Sequence, residues 1–239
     1  DAGTALLPES RTALAQLERA AVAARRAGRG EIGRLAVGYV ASAALSGVLP
    51  RALGEFRVAR PQVEIDLVAM ETPRQLAALD DGSLDLGFLR PRSHYPDGIE
   101  TRFVHEDDVL LAMTPRHRLA HGRIDAATLA TERFIVPQFD EQDGFGERLQ
   151  QLSRHGGFEP GPILRVRDFI TAVTLAAAGY GLALVPRSVT ALSLSGVVYR
   201  PISGFTGTVR LVAAWRRNNG SAVLQALVAR LAATAETHP

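Results

Sequence analysis

Apolar and polar positions alternate or recur at helical spacing in one ordered series between residues 35 and 90. Residues 35–40, Leu-Ala-Val-Gly-Tyr-Val, form a short apolar run that stops at the small polar Ser42 and predicts a strand. Leu45, Leu49, Leu53 and Phe56 then recur every three or four residues, which predicts one helix face ending near residue 59, before Arg60-Pro61. In residues 63–70, Val63, Ile65 and Leu67 alternate with Glu64 and Asp66, the mark of a second strand. Thr72-Pro73 opens a further helix and Asp81-Gly82 closes it. Residues 84–89 make a third strand, which terminates on Arg90. Crossovers this short predict right-handed connections and a parallel sheet. Ligands of such sheets bind beyond the carboxyl ends of the strands, where this chain carries Ser42, Thr72 and Arg90. Two hydroxyls and a guanidinium can grip a carboxylate; as individuals they fit equally well as two helix N-caps and a solvated surface charge.

The pattern repeats further on. After the turn residues 91–98, two short strands are expected, at 99–105 and 108–113, separated by the charged Glu106-Asp107-Asp108. That rise in charge marks a place for the chain to leave one domain for another. A second α/β unit follows: a strand at 134–136 ending on Pro137-Gln138-Phe139, an acidic glycine-containing loop at 140–144, a helix at 145–155, and a strand at 163–166. Asp168 is positioned to cap the apolar helix 170–178. Gly179-Tyr180-Gly181 follows that helix and precedes a strand, the reverse of a dinucleotide-binding order, and reads as a C-cap. Phe139 and Phe169, beyond two strand ends, suit either a pocket for a flat apolar ligand or ordinary packing. The strands 197–199 and 208–215 and the helix 221–235, with Val223, Leu227 and Leu231 on one face, suggest a return to the first domain.

Ahead of these units, residues 9–27 are alanine-rich and helix-favouring, with Leu7, Leu14, Leu17, Ala21 and Ala24 spaced like a short coiled-coil seam. This fits a dimerising or linking helix better than a part of the core. The whole chain carries 27 Lys and Arg against 25 Asp and Glu, too even a balance for a nucleic-acid footprint of its own. It has no cysteine, so disulfides and thiol catalysis are excluded. No apolar run approaches membrane-spanning length. A start on Asp1-Ala2-Gly3-Thr4 points to an upstream segment lost from the chain. His117 and His121 have metal-pair spacing, yet Arg116 and Arg118 flank them and the glutamate of a zinc protease is missing. No paired base and nucleophile or phosphate loop is found, so neither an enzyme nor a cofactor is expected.

Several runs, each weak alone, together resemble the effector-binding domain of LysR-type transcriptional regulators. They are Gly33-Arg34-Leu35-Ala36-Val37-Gly38-Tyr39, Leu49-Pro50-Arg51-Ala52-Leu53-Gly54-Glu55-Phe56-Arg57, Pro61-Gln62-Val63-Glu64-Ile65 and Leu79-Asp80-Asp81-Gly82-Ser83-Leu84-Asp85-Leu86-Gly87-Phe88. Pro115-Arg116-His117-Arg118-Leu119-Ala120, Gly157-Phe158-Glu159-Pro160 and Ala177-Ala178-Gly179-Tyr180-Gly181-Leu182-Ala183-Leu184-Val185-Pro186 continue the order. The resemblance implies an α/β fold of two periplasmic-binding-protein-like subdomains joined by two crossovers and preceded by a linker helix. Its boundaries would be 1–30 for the helix, 31–106 and 207–239 for the first subdomain, and 107–206 for the second. It also implies a small carboxylate inducer, a homodimer or tetramer, promoter DNA contacted through an upstream winged helix-turn-helix absent from this chain, a cytoplasmic location and no membrane. Met70-Glu71-Thr72, Phe88-Leu89-Arg90 and Val136-Pro137-Gln138-Phe139 resemble regulators that sense muconate, benzoate or chlorinated relatives. Carried over, Ser42, Thr72 and Arg90 would hold the carboxylate, and Pro137, Gln138, Phe139 and Phe169 the opposing wall. The stretch after Ser42 is slightly long for that subgroup, which makes Ala43 the alternative to Ser42. A solute-binding protein of a transport system would share the two-lobed architecture but not the alanine-rich helix.

Overall fold

The alanine- and leucine-rich start forms α1, Ala2–Gly28, which begins earlier than the spacing predicts and carries Pro8 inside it. None of its residues is buried. The computed structural model describes residues 1–137 and 145–235, with side chains as far as residue 231. Gly30, in the left-handed conformation at φ 64°, turns the chain out of α1; a Cβ there would meet the Ala222 carbonyl oxygen at 2.6 Å.

β1 (Ile32–Tyr39), α2 (Ala41–Leu45), α3 (Val48–Ala59), β2 (Gln62–Ala69), α4 (Thr72–Asp81) and β3 (Leu86–Leu89) realise the predicted β-α-β-α-β unit. β1 lies between β2 and β3 and is parallel to both. One prediction fails in detail. The single helix expected through residues 45–59 is broken at Gly47, whose φ of 80° is incompatible with a continuing helix. The break gives the apolar residues two destinations: Leu49 and Phe56 bury in the core of this half, while Leu45 packs against the core of the other.

The two short strands expected at 99–105 and 108–113 are one, β4 (Ile99–Met113), with a register shift between Phe103 and His105. The charged run stays within the strand because β9 (Thr208–Arg216) supplies partners, with Glu106 opposite Arg210, Asp107 opposite Val209 and Asp108 opposite Thr208. β5 (Phe134–Pro137), α5 (Phe145–Gly156), β6 (Ile163–Val166), α6 (Phe169–Ala177), β7 (Leu182–Pro186) and β8 (Val198–Arg200) build the other half, and α7 (Ala222–Ala235) ends the chain. The strands follow the order β2-β1-β3-β9-β4-β7-β5-β6, with β8 on β4. Both halves are therefore strung on the antiparallel pair β4 and β9.

Two principal cores result. One gathers Leu111, Met113, Phe134, Leu149, Val173 and Leu184. The other gathers Leu35, Val37, Phe56 and Phe88 with Trp215 of β9 and Leu224 and Leu227 of α7, so the end of the chain completes the first half. Each such side chain, fully buried, contributes roughly 1.5–3 kcal/mol.

Candidate functional site

The carboxyl ends of β1, β2 and β3 come together because the parallel register ties them. The Val40 amide donates to the Phe88 carbonyl at 3.0 Å, and the Met70 amide to the Tyr39 carbonyl at 3.1 Å. Ser42 and Ala43, in α2, are both buried. Ala43 packs into the apolar core, whereas the Ser42 hydroxyl accepts a hydrogen bond from Arg90 Nη2 at 3.1 Å. Thr72, the first residue of α4 and fully buried, accepts the Arg90 backbone N–H on Oγ1 at 3.1 Å. The N-caps of α2 and α4 are Val40 and Glu71, so neither hydroxyl serves as a cap.

Arg90 itself is only 9% exposed. Its guanidinium carbon sits 5.6 Å from the centroid of the Phe145 ring, at the start of α5 in the other half. Cation–π contact and the Ser42 hydroxyl help offset the desolvation of that charge. Phe145 in turn meets Phe169 edge-on, with centroids 5.5 Å apart and planes at 86°. Phe169 is placed by its neighbour: the Asp168 carboxylate accepts the Thr171 N–H and hydroxyl, both at 2.7 Å, and caps α6 as predicted. Pro137 is buried at the end of β5. Gln138 and Phe139 lie outside the described residues.

A cleft of about 480 Å³ opens where the halves meet. Arg90, Pro91 and Ser93 line it from the first half, Phe145, Glu147 and Arg148 from the second, and Thr208, Val209 and Arg210 from the connecting strand β9. Its volume lies within the usual range for small-molecule sites. On the floor, Arg210 Nε donates to Glu106 at 3.1 Å and the Thr208 hydroxyl also donates to Glu106. The Thr208 bond first, and then the Arg210 bond, hold the Glu106 carboxyl below its ordinary pKa. Chemically the arrangement can receive an anion beside an aromatic side. An arginine presents a planar fork of donors to a carboxylate, and Ser42, having accepted from Arg90, still has its own proton to donate.

Two contributors escaped the sequence reading. Phe145 appeared only as the start of a helix. Gln75 is fully buried, and its Nε2 donates to the Met70 carbonyl at 2.8 Å and to the Phe88 carbonyl at 3.2 Å. A signal for it existed, since Thr72, Gln75 and Leu79 share one helix face. His117 meets Glu132 at 3.2 Å, and among the described residues no group of three or more His, Asp or Glu is placed to hold a metal.

A family model described as the LysR substrate binding domain matches residues 28–236. The chain belongs to that family. It is thus the effector-binding region of a LysR-type regulator and not a transport protein, which decides between the alternatives the sequence left open. Over 225 residues the LysR domain is 30% identical to the HTH-type transcriptional regulator ClcR of Pseudomonas putida, covering 94% of this chain and 76% of that protein. Its fold is similar to that of full-length CbnR complexed with its target DNA, with a TM-score of 0.85 at 26% identity, covering 98% of this chain and 82% of the other. It is also similar to the BenM effector binding domain with its effector benzoate, with a TM-score of 0.73 at 26% identity, covering 86% and 95%. The two-subdomain architecture with a leading helix is that of these regulators. Among the described residues no helix is long and apolar enough to cross a membrane.

Proposed function

We propose that this domain senses a small aromatic or muconate-like carboxylate held in the cleft. Arg90 and Ser42 bind the carboxylate, Thr72 fixes the Arg90 backbone, and Phe145, Phe169 and the end of β5 at Pro137 take the apolar body. Gln138 and Phe139, which follow Pro137 in the sequence, are proposed as ligand contacts as well. The subdomains are residues 31–106 with 207–239, and residues 107–206, with residues 1–30 as the linker helix. A homodimer or tetramer in the cytoplasm carries the change in angle between them to promoter DNA, through a winged helix-turn-helix of the full-length regulator.

The observation that carries this reading is a buried arginine aimed at the junction of the two halves, hydrogen-bonded to one half through Ser42 and stacked on the other through Phe145. The similarity to a domain bound to benzoate supports it. Isothermal titration with muconates, benzoates and chlorobenzoates tests it. One of these acids is expected to bind, and Arg90→Ala to weaken it by roughly 1.5–3 kcal/mol, the scale of a hydrogen bond to a charged group. Binding untouched by the substitution, or no binding by any acid, overturns the assignment.

A further inference from the structure

We propose that α2 is a latch, in which Leu45 is a positioning residue: through it the second half sets the place of Ser42, so that the grip on an anion depends on how the two halves are set against each other. This rests on the reading that Ser42 and Arg90 meet a carboxylate. α2 is a helix of five residues whose side chains go to different places. Ala43 is fully buried in the core of the first half, and Ser42 accepts from Arg90 Nη2 at 3.1 Å. Leu45, half-buried, packs against the core of the second half. Three residues separate Ser42 from Leu45, the spacing of neighbours on one side of a helix, so a displacement of one carries the other with it. α3 does not share that movement. Gly47, at φ 80° and with nothing within 4 Å of where its Cβ would stand, separates the two helices, and Leu49 and Phe56 hold α3 in the first core.

What Leu45 meets is itself fastened to the crossover. α2 lies against the short 3-10 helix Arg187–Leu192, whose Val189 is fully buried in the second core and whose Leu192 packs on it beside Leu45. Two carboxylates of β4 hold that short helix. Asp107, buried, accepts the Ser188 backbone N–H at 2.9 Å, and Asp108 accepts Arg187 Nε and Nη2 at 3.1 and 2.8 Å. Glu106, the first of the same charged run, takes Thr208 and Arg210 of β9 instead. The run therefore divides its work: one carboxylate joins the two crossover strands, and the next two join β4 to the support of Leu45. Contacts pass without a gap from the crossover strand to the short helix, to Leu45, to Ser42 and to Arg90. A turn of one half against the other moves the support under Leu45, and closely packed side chains answer by changing arrangement rather than by stretching. A ligand that needs the Ser42 hydroxyl then binds one arrangement better and holds it.

The experiment has two arms. In the first, benzoate and cis,cis-muconate are titrated calorimetrically into the parent, Leu45→Ala, Ser42→Ala and the double variant. Leu45→Ala is expected to weaken the acid that binds by about fivefold or more, the lower end of ordinary coupling between sites, and to change affinity less than about twofold once Ser42 is alanine. Leu53→Ala, which trims a half-buried leucine of the first core on α3, should lower the melting temperature and leave affinity within about twofold of the parent. Should melting show that Leu45→Ala does not fold, Leu45→Val supplies the comparison. Unchanged affinity in the Leu45 variant, or the same loss with and without the Ser42 hydroxyl, overturns the proposal. The second arm needs no ligand. The chain has no cysteine, so Arg51→Cys on α3 and Arg154→Cys on α5, both exposed, accept spin labels at those two places alone. The distance between the labels should have one narrow distribution in the parent and a broader one with Leu45→Ala; an unchanged distribution overturns the latch. If neither acid binds, the carboxylate reading falls and the distances alone decide whether Leu45 holds the halves.

Discussion

At the scale of single residues, the site depends on groups that fix Arg90 as much as on Arg90. Gln75 is the clearest. Its two hydrogen bonds tie the segment leading into Thr72 to the end of β3, and the space it fills exists because Gly38 and Gly87 face each other in register. A Cβ on Gly87 would stand 2.7 Å from the Gln75 side-chain oxygen. Gln75→Leu is therefore expected to lower stability by roughly 1–3 kcal/mol, the cost of removing the Gln75 donor from the Met70 carbonyl, while the Phe88 carbonyl keeps the Val40 amide. Carboxylate affinity should fall with it, because the Thr72 to Arg90 bond loses its support. Urea unfolding measures the first effect and titration the second; lost stability with unchanged affinity would make Gln75 a purely structural residue. Ser42, Thr72 and Arg90 were legible in the sequence because polar residues at the carboxyl ends of parallel strands converge by topology alone. Phe145 was not, since its role depends on a contact between elements that no local pattern encodes, and for Gln75 only the helix face it shares with Thr72 and Leu79 was legible, not its partners. Ala43 shows the same limit: only the helical turn of α2 decides which of two adjacent small residues faces Arg90 and which the core.

At the scale of elements, most of the fold could be read from periodicity, and the two departures have different causes. Gly47 breaks a helix so that Leu45 can serve a different core, and β4 continues through a charged run because its partners lie about a hundred residues later on β9. Long-range pairing overrides the local signal in β4, whereas at Gly47 the break is local, set by the glycine's left-handed φ. The crossing of β4 and β9 has a pH dependence with a definite sign. Hydrogen bonds from Thr208 and then Arg210 lower the Glu106 pKa in the folded chain, so the ionised carboxylate favours folding. That stabilisation is complete above the pKa of glutamate in the unfolded chain and is lost as pH falls through the lower folded value. Denaturation followed from neutral pH into the acid range should show the parent losing stability more steeply than Glu106→Gln in that window; parallel curves would remove Glu106 from the account. A simpler element-scale test is Asp168→Ala, which deletes the cap of α6 and should cost about 1 kcal/mol, read as a lower melting temperature.

At the scale of the whole molecule, α1 is the element that the rest of the chain does not explain. A helix of 27 residues spans about 40 Å, and none of its side chains is buried. Leu6, Leu7, Leu14, Leu17 and Val22 stand exposed, including the leucines that form the seam expected from the spacing. An isolated helix gains little from propensity alone, and apolar residues along one stripe are what a second helix covers. Its C-terminal end is tied to the domain, where Arg26 bonds Glu31 at 3.2 Å and also reaches Gln62. Deleting residues 1–24 leaves those bonds in place and removes the stripe. The expected result is a smaller assembly by light scattering, with unfolding midpoint and carboxylate affinity within about 0.5 kcal/mol of the parent, as for changes outside the packed core. Leu14→Glu with Leu17→Glu should reduce the assembly in the same way without shortening the chain. If the mass is unchanged in both, assembly runs through another face of the domain, and the exposed edge strand β2, with Leu67 and Val68 open to solvent, is the surface to test next.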